Sequence, residues 1–256
     1  IWKYIIPCIS GYLIKEGYEK TKINRLNNFI NFEKMSESIP TTTTKTSENN
    51  SPNKIPIIEE DEFIELRLIG IGSKFKIILI FHIEREELYA LKKQHIVDDE
   101  IEKLREREIK NYSKVQHPFI PKLIGLGKNN EYLIIEFING RLLTDINKLQ
   151  LSSSEKITIF FEIMIIIEYI HRKQFIYRDL KPNNVMIDEN KTAVLIDFDR
   201  MIEYESSLDT TTNDFQITFS APEINKCEFS YECDIYSLSN IFLHIKNQQL
   251  NEFMQS

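Results

Sequence analysis

Two acids, one lysine and one asparagine stand at spacings that suit a phosphate carried on a divalent cation. Asp179 and Lys181 lie in the polar stretch Tyr177-Arg178-Asp179-Leu180-Lys181-Pro182-Asn183-Asn184. Asn184 closes that stretch, and Asp197 follows eighteen residues after Asp179. Carboxylate and amide oxygens are hard ligands of the kind Mg²⁺ takes, and an ammonium group neutralises phosphate oxygens. Moving a phosphoryl group asks for positioning and charge stabilisation more than for a covalent nucleophile.

These groups must be held by regular elements. The polar stretch sits between the apolar runs Phe175-Ile176 and Val185-Met186-Ile187. That pattern predicts strand, loop and strand in a hairpin-like unit that presents charged side chains at one edge. Asp197 ends a predicted strand, Ala193-Val194-Leu195-Ile196. Upstream, Phe63–Ile69 and Lys76–Ile83 are predicted strands joined by Gly70-Ile71-Gly72-Ser73-Lys74-Phe75. Two glycines there either let backbone N–H groups approach phosphates or make an ordinary hairpin turn. The next strand, Leu88-Tyr89-Ala90-Leu91-Lys92, puts Ala90 and Lys92 on one face by alternation. Asp98–Val115 reads as a helix with acids at its positive end. Leu104, Glu108, Tyr112 and Val115 share one face of it. A carboxylate on an apolar stripe is costly unless paired, and Lys92 is the candidate partner of Glu108. Two more strands, Lys122–Gly127 and Glu131–Phe137, flank the turn Lys128-Asn129-Asn130. Ser152-x-x-Glu155 is a capping box that opens an apolar helix running to Arg172. Glu162 and Glu168 interrupt it, which marks a buried core helix rather than a membrane span, and His171 is read as structural.

The stretch around Asp179 resembles the catalytic loop of the eukaryotic protein kinases, with Tyr177 in the His position of H-R-D-L-x-x-x-N. Ile196-Asp197-Phe198-Asp199 resembles the D-F-G motif, with Asp199 in place of Gly. Gly70 and Gly72 match the Gly-rich loop, with Phe75 where a third Gly would fall. Ala90-x-Lys92, Glu108 before His117-Pro118, Ala221-Pro222-Glu223 and Asp234-Ile235-Tyr236-Ser237-Leu238 complete the likeness, which covers about Phe63 to Lys246. It implies an α+β, bilobal protein-kinase-like fold, with a small β-rich N-lobe and a mainly helical, incomplete C-lobe. It further implies that Lys92, held by Glu108, binds the α- and β-phosphates of ATP, and that Asp197 and Asn184 bind Mg²⁺. Asp179 would act as catalytic base and Lys181 would steady the γ-phosphate. Ile77, Ala90 and Met186 would sandwich adenine. Backbone groups of Glu136 and Ile138 would hydrogen-bond it, with Ile135 at the back pocket. Asp234 would brace the catalytic loop. Leu180-Lys181-Pro182 looks like the Ser/Thr-specific branch. Arg178 is the implied charge partner of any phosphate on Ser206, Ser207, Thr210, Thr211 or Thr212; Gln216 stands where the family has Thr, with Thr218 nearby. A catalytically weak or silent scaffold that binds ATP or a partner protein is the alternative, motivated by Asp199, Phe75 and the early stop.

Composition sets outer bounds. A chain of 256 residues with 42% hydrophobic and 28% charged residues can bury a sizeable core. Its net charge of −7 argues against a nucleic-acid partner held by bulk electrostatics. The partners expected are ATP and a protein substrate. The three cysteines, Cys8, Cys227 and Cys233, show no paired metal spacing, which points to a reducing, cytoplasmic setting. Residues 1–35 form an N-terminal segment of unassigned role. The apolar run Ile5–Ile14 is too short to cross a bilayer, although it could be the tail of a membrane helix flanked by Lys15–Lys22. Residues 36–61, rich in Ser, Thr and Asn, read as a disordered linker. The kinase-like domain is placed at 62–256, divided into lobes at 62–137 and 138–256.

Overall fold

In β2 (Phe75–His82) apolar side chains fall on both faces, and in β3 (Glu87–Gln94) the buried run Tyr89–Lys92 alternates between them, so both sides of this hairpin must be covered. The two strands pair antiparallel, with Ile78 opposite Leu91 and Ile80 opposite Tyr89 on one face. Those residues join Ile58, Phe63, Tyr132 and Ile134 in one core cluster. Ile77 opposite Lys92 and Leu79 opposite Ala90 fall on the other face, as does Phe75. The computed structural model describes residues 55–96, 99–204, 219–223 and 229–255. Within them the N-lobe is a five-stranded antiparallel sheet in the order β1-β2-β3-β5-β4, with β1 at Phe63–Ile71, β4 at Leu123–Leu126 and β5 at Tyr132–Glu136.

Helix α1 (Asp99–Lys114) crosses from this sheet toward the site. It begins with Asp99, Glu100 and Glu102 at its positive end and buries Ile101, Leu104, Arg105, Glu108, Asn111 and Tyr112. The expected stripe of Leu104, Glu108, Tyr112 and Val115 is buried throughout.

The C-lobe is built on α2 (Ser153–Arg172). Its N-cap is the expected box: the Ser152 Oγ accepts from the Glu155 N–H at 3.3 Å, and Glu155 accepts from the Ser152 N–H at 2.8 Å. Ile159, Ile163, Ile166, Ile167 and Ile170 are fully buried, so the helix forms the lobe's core. Among the described residues no helix is long and apolar enough to cross a membrane. Strands β6 (Gly140–Leu142), β8 (Val185–Asp188) and β9 (Ala193–Leu195) form one small sheet; β7 (Phe175–Ile176) and β10 (Ile202–Glu203) form another. Helix α3 (Tyr231–Gln255) packs against α2.

Two sequence expectations change. The runs flanking the polar stretch Tyr177–Asn184 are not two strands of one hairpin: β7 pairs with β10, while β8 pairs with β6 and β9. The left-handed backbone at Arg178 (φ 69°) and the 3₁₀ turn Pro182–Asn184 swing the chain out of register between them. Order also begins earlier than residue 62. Ile58 is buried in the N-lobe core, its N–H donates to the Leu126 carbonyl at 2.9 Å, and its own carbonyl accepts from the Tyr132 hydroxyl at 2.8 Å. This short segment is held because β4 offers a free edge, with the Leu126 N–H donating to the Pro56 carbonyl at 2.9 Å. Residues 1–54, including Cys8, lie outside the described residues, as do Ser206, Ser207, Thr210, Thr211, Thr212, Gln216, Thr218 and Cys227.

Candidate active site

Lys92 is the hub of the cleft. Its ammonium donates to both Glu108 oxygens, at 2.8 and 2.7 Å, and to Asp197 Oδ1 at 2.9 Å. The pairing read from the apolar stripe of α1 is therefore present. Burial alone would lower the lysine's pKa, but Asp197 and Glu108 outweigh it and hold it well above the usual range. Burial pushes Glu108 up against the pull of Lys92. Burial also acts to raise Asp197, but Lys92 reverses that and keeps its carboxyl below the usual range.

The stretch Asp179–Asn184 forms a second knot. Lys181 Nζ lies 3.0 and 2.8 Å from the two Asp179 oxygens. Asn184 Nδ2 donates to the Asp179 carbonyl and to its Oδ2, both at 2.9 Å. Both amide hydrogens are thus spent on Asp179, which leaves the Asn184 carbonyl oxygen as the group to face a cation. Asp197, with its side chain 35% exposed, supplies a carboxylate. Among the described residues no cluster of three or more His, Cys, Asp or Glu side chains could hold a metal. Asn184 and Asp197 suit a cation completed by phosphate oxygens and water, which is how Mg²⁺ is commonly bound.

Two of the left-handed non-glycine positions fall in the site. Arg178 and Asp197 both have φ of 69°, a region that costs a non-glycine residue about 1 kcal/mol or more. Asp234 holds the first of them: its Oδ1 accepts from the Arg178 N–H, and its Oδ2 accepts from the Tyr177 N–H and pairs with His171 Nε2, all at 2.8 Å. The brace expected of Asp234 is present, and His171 is structural through it. Tyr177 bears on the second: its hydroxyl donates to the Ile196 carbonyl at 2.6 Å, and its ring meets Phe198 edge-on at 5.6 Å. It thereby ties the Tyr177–Asn184 loop to the turn at Asp197. Arg178 is buried, donates from Nε to the Arg200 carbonyl at 2.7 Å and lies 4.4 Å over the Phe229 ring.

Two participants were missed from sequence. Asn111 Nδ2 donates to the Phe198 and Met201 carbonyls at 2.7 and 2.8 Å, fixing the turn after Asp197 to α1. Its signal was there: an amide three residues after Glu108 on the same buried face. Arg200 Nε lies 3.9 Å from Asp179 Oδ2, and nothing in the sequence marks it. Asp199 is buried, and desolvation followed by the neighbouring Asp197 charge pushes its carboxyl up to about 7.

The remaining expected residues line the approaches. A Cβ built on Gly70 or Gly72 would meet only ordinary contacts at 3.5 Å, so packing within this chain does not demand glycine at either position. The turn leaves room for a phosphate cradle. Ala90 is buried and Ile77 half-buried on the Lys92 face of the sheet; Met186 is half-buried on β8. Glu136 ends β5, its N–H donating to the Lys122 carbonyl at 2.9 Å, and Ile138 lies in the link to β6. Ile135 pairs with Ala90.

A β-rich lobe over a helical lobe, with a paired lysine and a carboxylate–amide loop between them, defines a phosphotransferase-type scaffold. The protein kinase domain family model matches residues 63–253, and the chain belongs to that family. It is 29% identical over 177 residues to a probable serine/threonine-protein kinase of Dictyostelium discoideum, covering 65% of this chain and 38% of the relative. It is 28% identical over 175 residues to the serine/threonine-protein kinase AtPK1/AtPK6 of Arabidopsis thaliana (66% and 38%). It is 31% identical over 189 residues to the serine/threonine-protein kinase sgk-1 of Caenorhabditis elegans (69% and 41%). The chain thus spans about two fifths of the length of these relatives.

Proposed function

We propose that this chain transfers the γ-phosphate of ATP to serine or threonine hydroxyls of a protein substrate. The observation that carries the reading is the Lys92–Glu108–Asp197 hub standing with the Asp179–Lys181–Asn184 knot in one domain. Lys92 binds the α- and β-phosphates, with Glu108 holding its ammonium in place. The turn at Gly70 and Gly72 would approach the phosphates once the Gly72 N–H leaves the Phe75 carbonyl. Adenine lies between Ile77, Ala90 and Met186 and meets the backbone of Glu136 and Ile138. Asp197 and the Asn184 side-chain amide oxygen would hold Mg²⁺, whose charge would offset that of the phosphate oxygens. Asp179 accepts the proton of the substrate hydroxyl, and Lys181, now paired with Asp179, turns to the γ-phosphate. Serine and threonine are preferred to tyrosine on the Leu180-Lys181-Pro182 sequence and the names of the relatives. The test is incubation with MgATP and a generic basic protein, followed by phosphoamino-acid analysis. Phosphoserine or phosphothreonine is expected; phosphotyrosine alone would contradict the specificity. ATP binding without transfer would favour the scaffold reading that Asp199 motivates.

A further inference from the structure

Every way onto the Lys92 ammonium is already taken. Its three N–H donors point at Glu108 Oε1, Glu108 Oε2 and Asp197 Oδ1. Its remaining side is covered by the ring of Phe75, whose centroid lies 4.7 Å from Nζ. The side chain of Lys92 is only 7% exposed in consequence. The position of Phe75 follows from strand register. Residues 75, 77 and 79 of β2 share the face of Ala90, Lys92 and Gln94 on β3, and Phe75 is directly opposite Gln94. A side chain at 75 must therefore point into the cleft, beside Lys92, and Phe75 is itself buried. The backbone tells the same story: the Gly72 N–H, a candidate phosphate donor, is spent on the Phe75 carbonyl at 2.8 Å.

We propose that Phe75 is a phosphate-gating residue: its ring stands in the path of the nucleotide's phosphates to Lys92 and must swing out before a di- or triphosphate can bind. The proposal rests on the ATP-site reading above. A ring over a desolvated ammonium makes a cation–π contact, and a phosphate must break it to reach the same ammonium. The bound state is then reached only from the fraction of molecules whose ring is out, which lowers apparent affinity by that fraction. The effect is confined to ligands with phosphates. Adenosine, which has no group to place at Lys92, leaves the ring where it is. Phe75 acts as a selectivity filter within the site, weakening phosphate-bearing ligands relative to phosphate-free ones.

The test is calorimetric titration of the full chain and of Phe75→Ala with MgATP, MgADP and adenosine. Phe75→Ala should bind MgATP and MgADP about thirtyfold more tightly, the scale of one desolvated cation–π contact, with adenosine unchanged. An equal affinity for MgATP in parent and variant, or an equal gain for adenosine, would overturn the gate and leave the ATP site standing. Absence of binding by all three ligands to a folded parent would overturn both the site and the gate. Since Phe75→Ala opens a cavity in a buried place, Phe75→Trp in a Trp2→Phe background provides a second readout with one tryptophan. Its emission should shift to the red on adding MgATP and stay fixed with adenosine; a fixed emission with bound MgATP would again refute the gate.

Discussion

Removing one charge at Asp234 should loosen the whole catalytic loop. The residue is fully buried and accepts from the Tyr177 and Arg178 N–H groups and from His171 Nε2, in the tautomer that carries its proton there. Asp234→Asn keeps the shape. Its remaining oxygen fits best in place of Oδ2, where two donors converge, so the new amide nitrogen faces the Arg178 N–H, donor against donor. Hydrogen bonds to a charged acceptor are worth roughly 1.5–3 kcal/mol and neutral ones about 1, while an unsatisfied buried donor costs about 1–3 kcal/mol. Two weakened bonds and one lost bond come to about 3–5 kcal/mol, against a net stability of about 5–15 kcal/mol for an ordinary domain. With a urea dependence of about 1–3 kcal/mol per molar, the unfolding midpoint should fall by about 1–5 M. The left-handed backbone of Arg178 loses its anchor at the same time, so phosphate transfer should fall even under conditions where the variant stays folded. A midpoint within about 0.3 M of the parent with transfer unchanged would refute the reasoning from these bonds.

Glu108→Gln leaves Lys92 with Asp197 as its anionic partner. A misplaced Lys92 is a preorganised charge-stabilising donor lost from the transition state, worth about 2.7 kcal/mol or more, so kcat/KM for ATP should drop about 100-fold in steady-state assays; an unchanged value would remove Glu108 from the mechanism. Glu162, half-buried on α2, accepts the Ala193 N–H at 2.8 Å, and burial pushes its carboxyl up to about 7. A carboxyl raised in the fold contributes stability that is present below about 4.5 and lost as pH rises through about 7. Glu162→Gln should therefore become relatively more stable than the parent across that window, by about 1–3 kcal/mol after allowance for solvent, and parallel urea midpoints from pH 4.5 to 7.5 would count against it. A Cβ at Gly140 would stand 2.2 Å from the Ile187 carbonyl oxygen, so Gly140→Ala must push β6 away from β8. A loss of about 1–3 kcal/mol, read as a lowered Tm, is expected; an unchanged Tm would mean that the link between the lobes yields freely.

The parts of this structure legible in the sequence are those set by local rules. Helix α1 follows from acids at its start and a buried stripe at 3.6-residue spacing, and that stripe also exposed Glu108 as a residue needing a partner. The Ser152–Glu155 box marked the start of α2 because capping is decided by four consecutive residues. The face shared by Ala90 and Lys92 followed from strand alternation. What escaped was set by contacts between distant segments. The strands on either side of the catalytic stretch look like one hairpin until β10, β6 and β9 compete for them. Ile58 lies in a polar stretch and is drawn into the core only by the edge of β4. Arg200 reaches Asp179 through the turn after Phe198, and no spacing rule anticipates that approach. Phe75 was visible as a departure from a glycine pattern, but its place over Lys92 required the register of β2 on β3.

The most direct measurement is incorporation of labelled γ-phosphate into a basic protein and into the chain itself, comparing the parent with Asp179→Asn, with MgATP binding by each followed calorimetrically. Asp179 contacts Lys181 and Asn184 but not Lys92 in the described hydrogen bonds, so the variant should keep nucleotide binding and lose transfer. Incorporation by the parent that disappears in Asp179→Asn, with ATP bound equally by both, is the predicted result. Transfer at the parent's rate by Asp179→Asn, or no transfer by a folded parent that binds MgATP, would contradict the assignment of this site as a working phosphotransferase centred on Asp179.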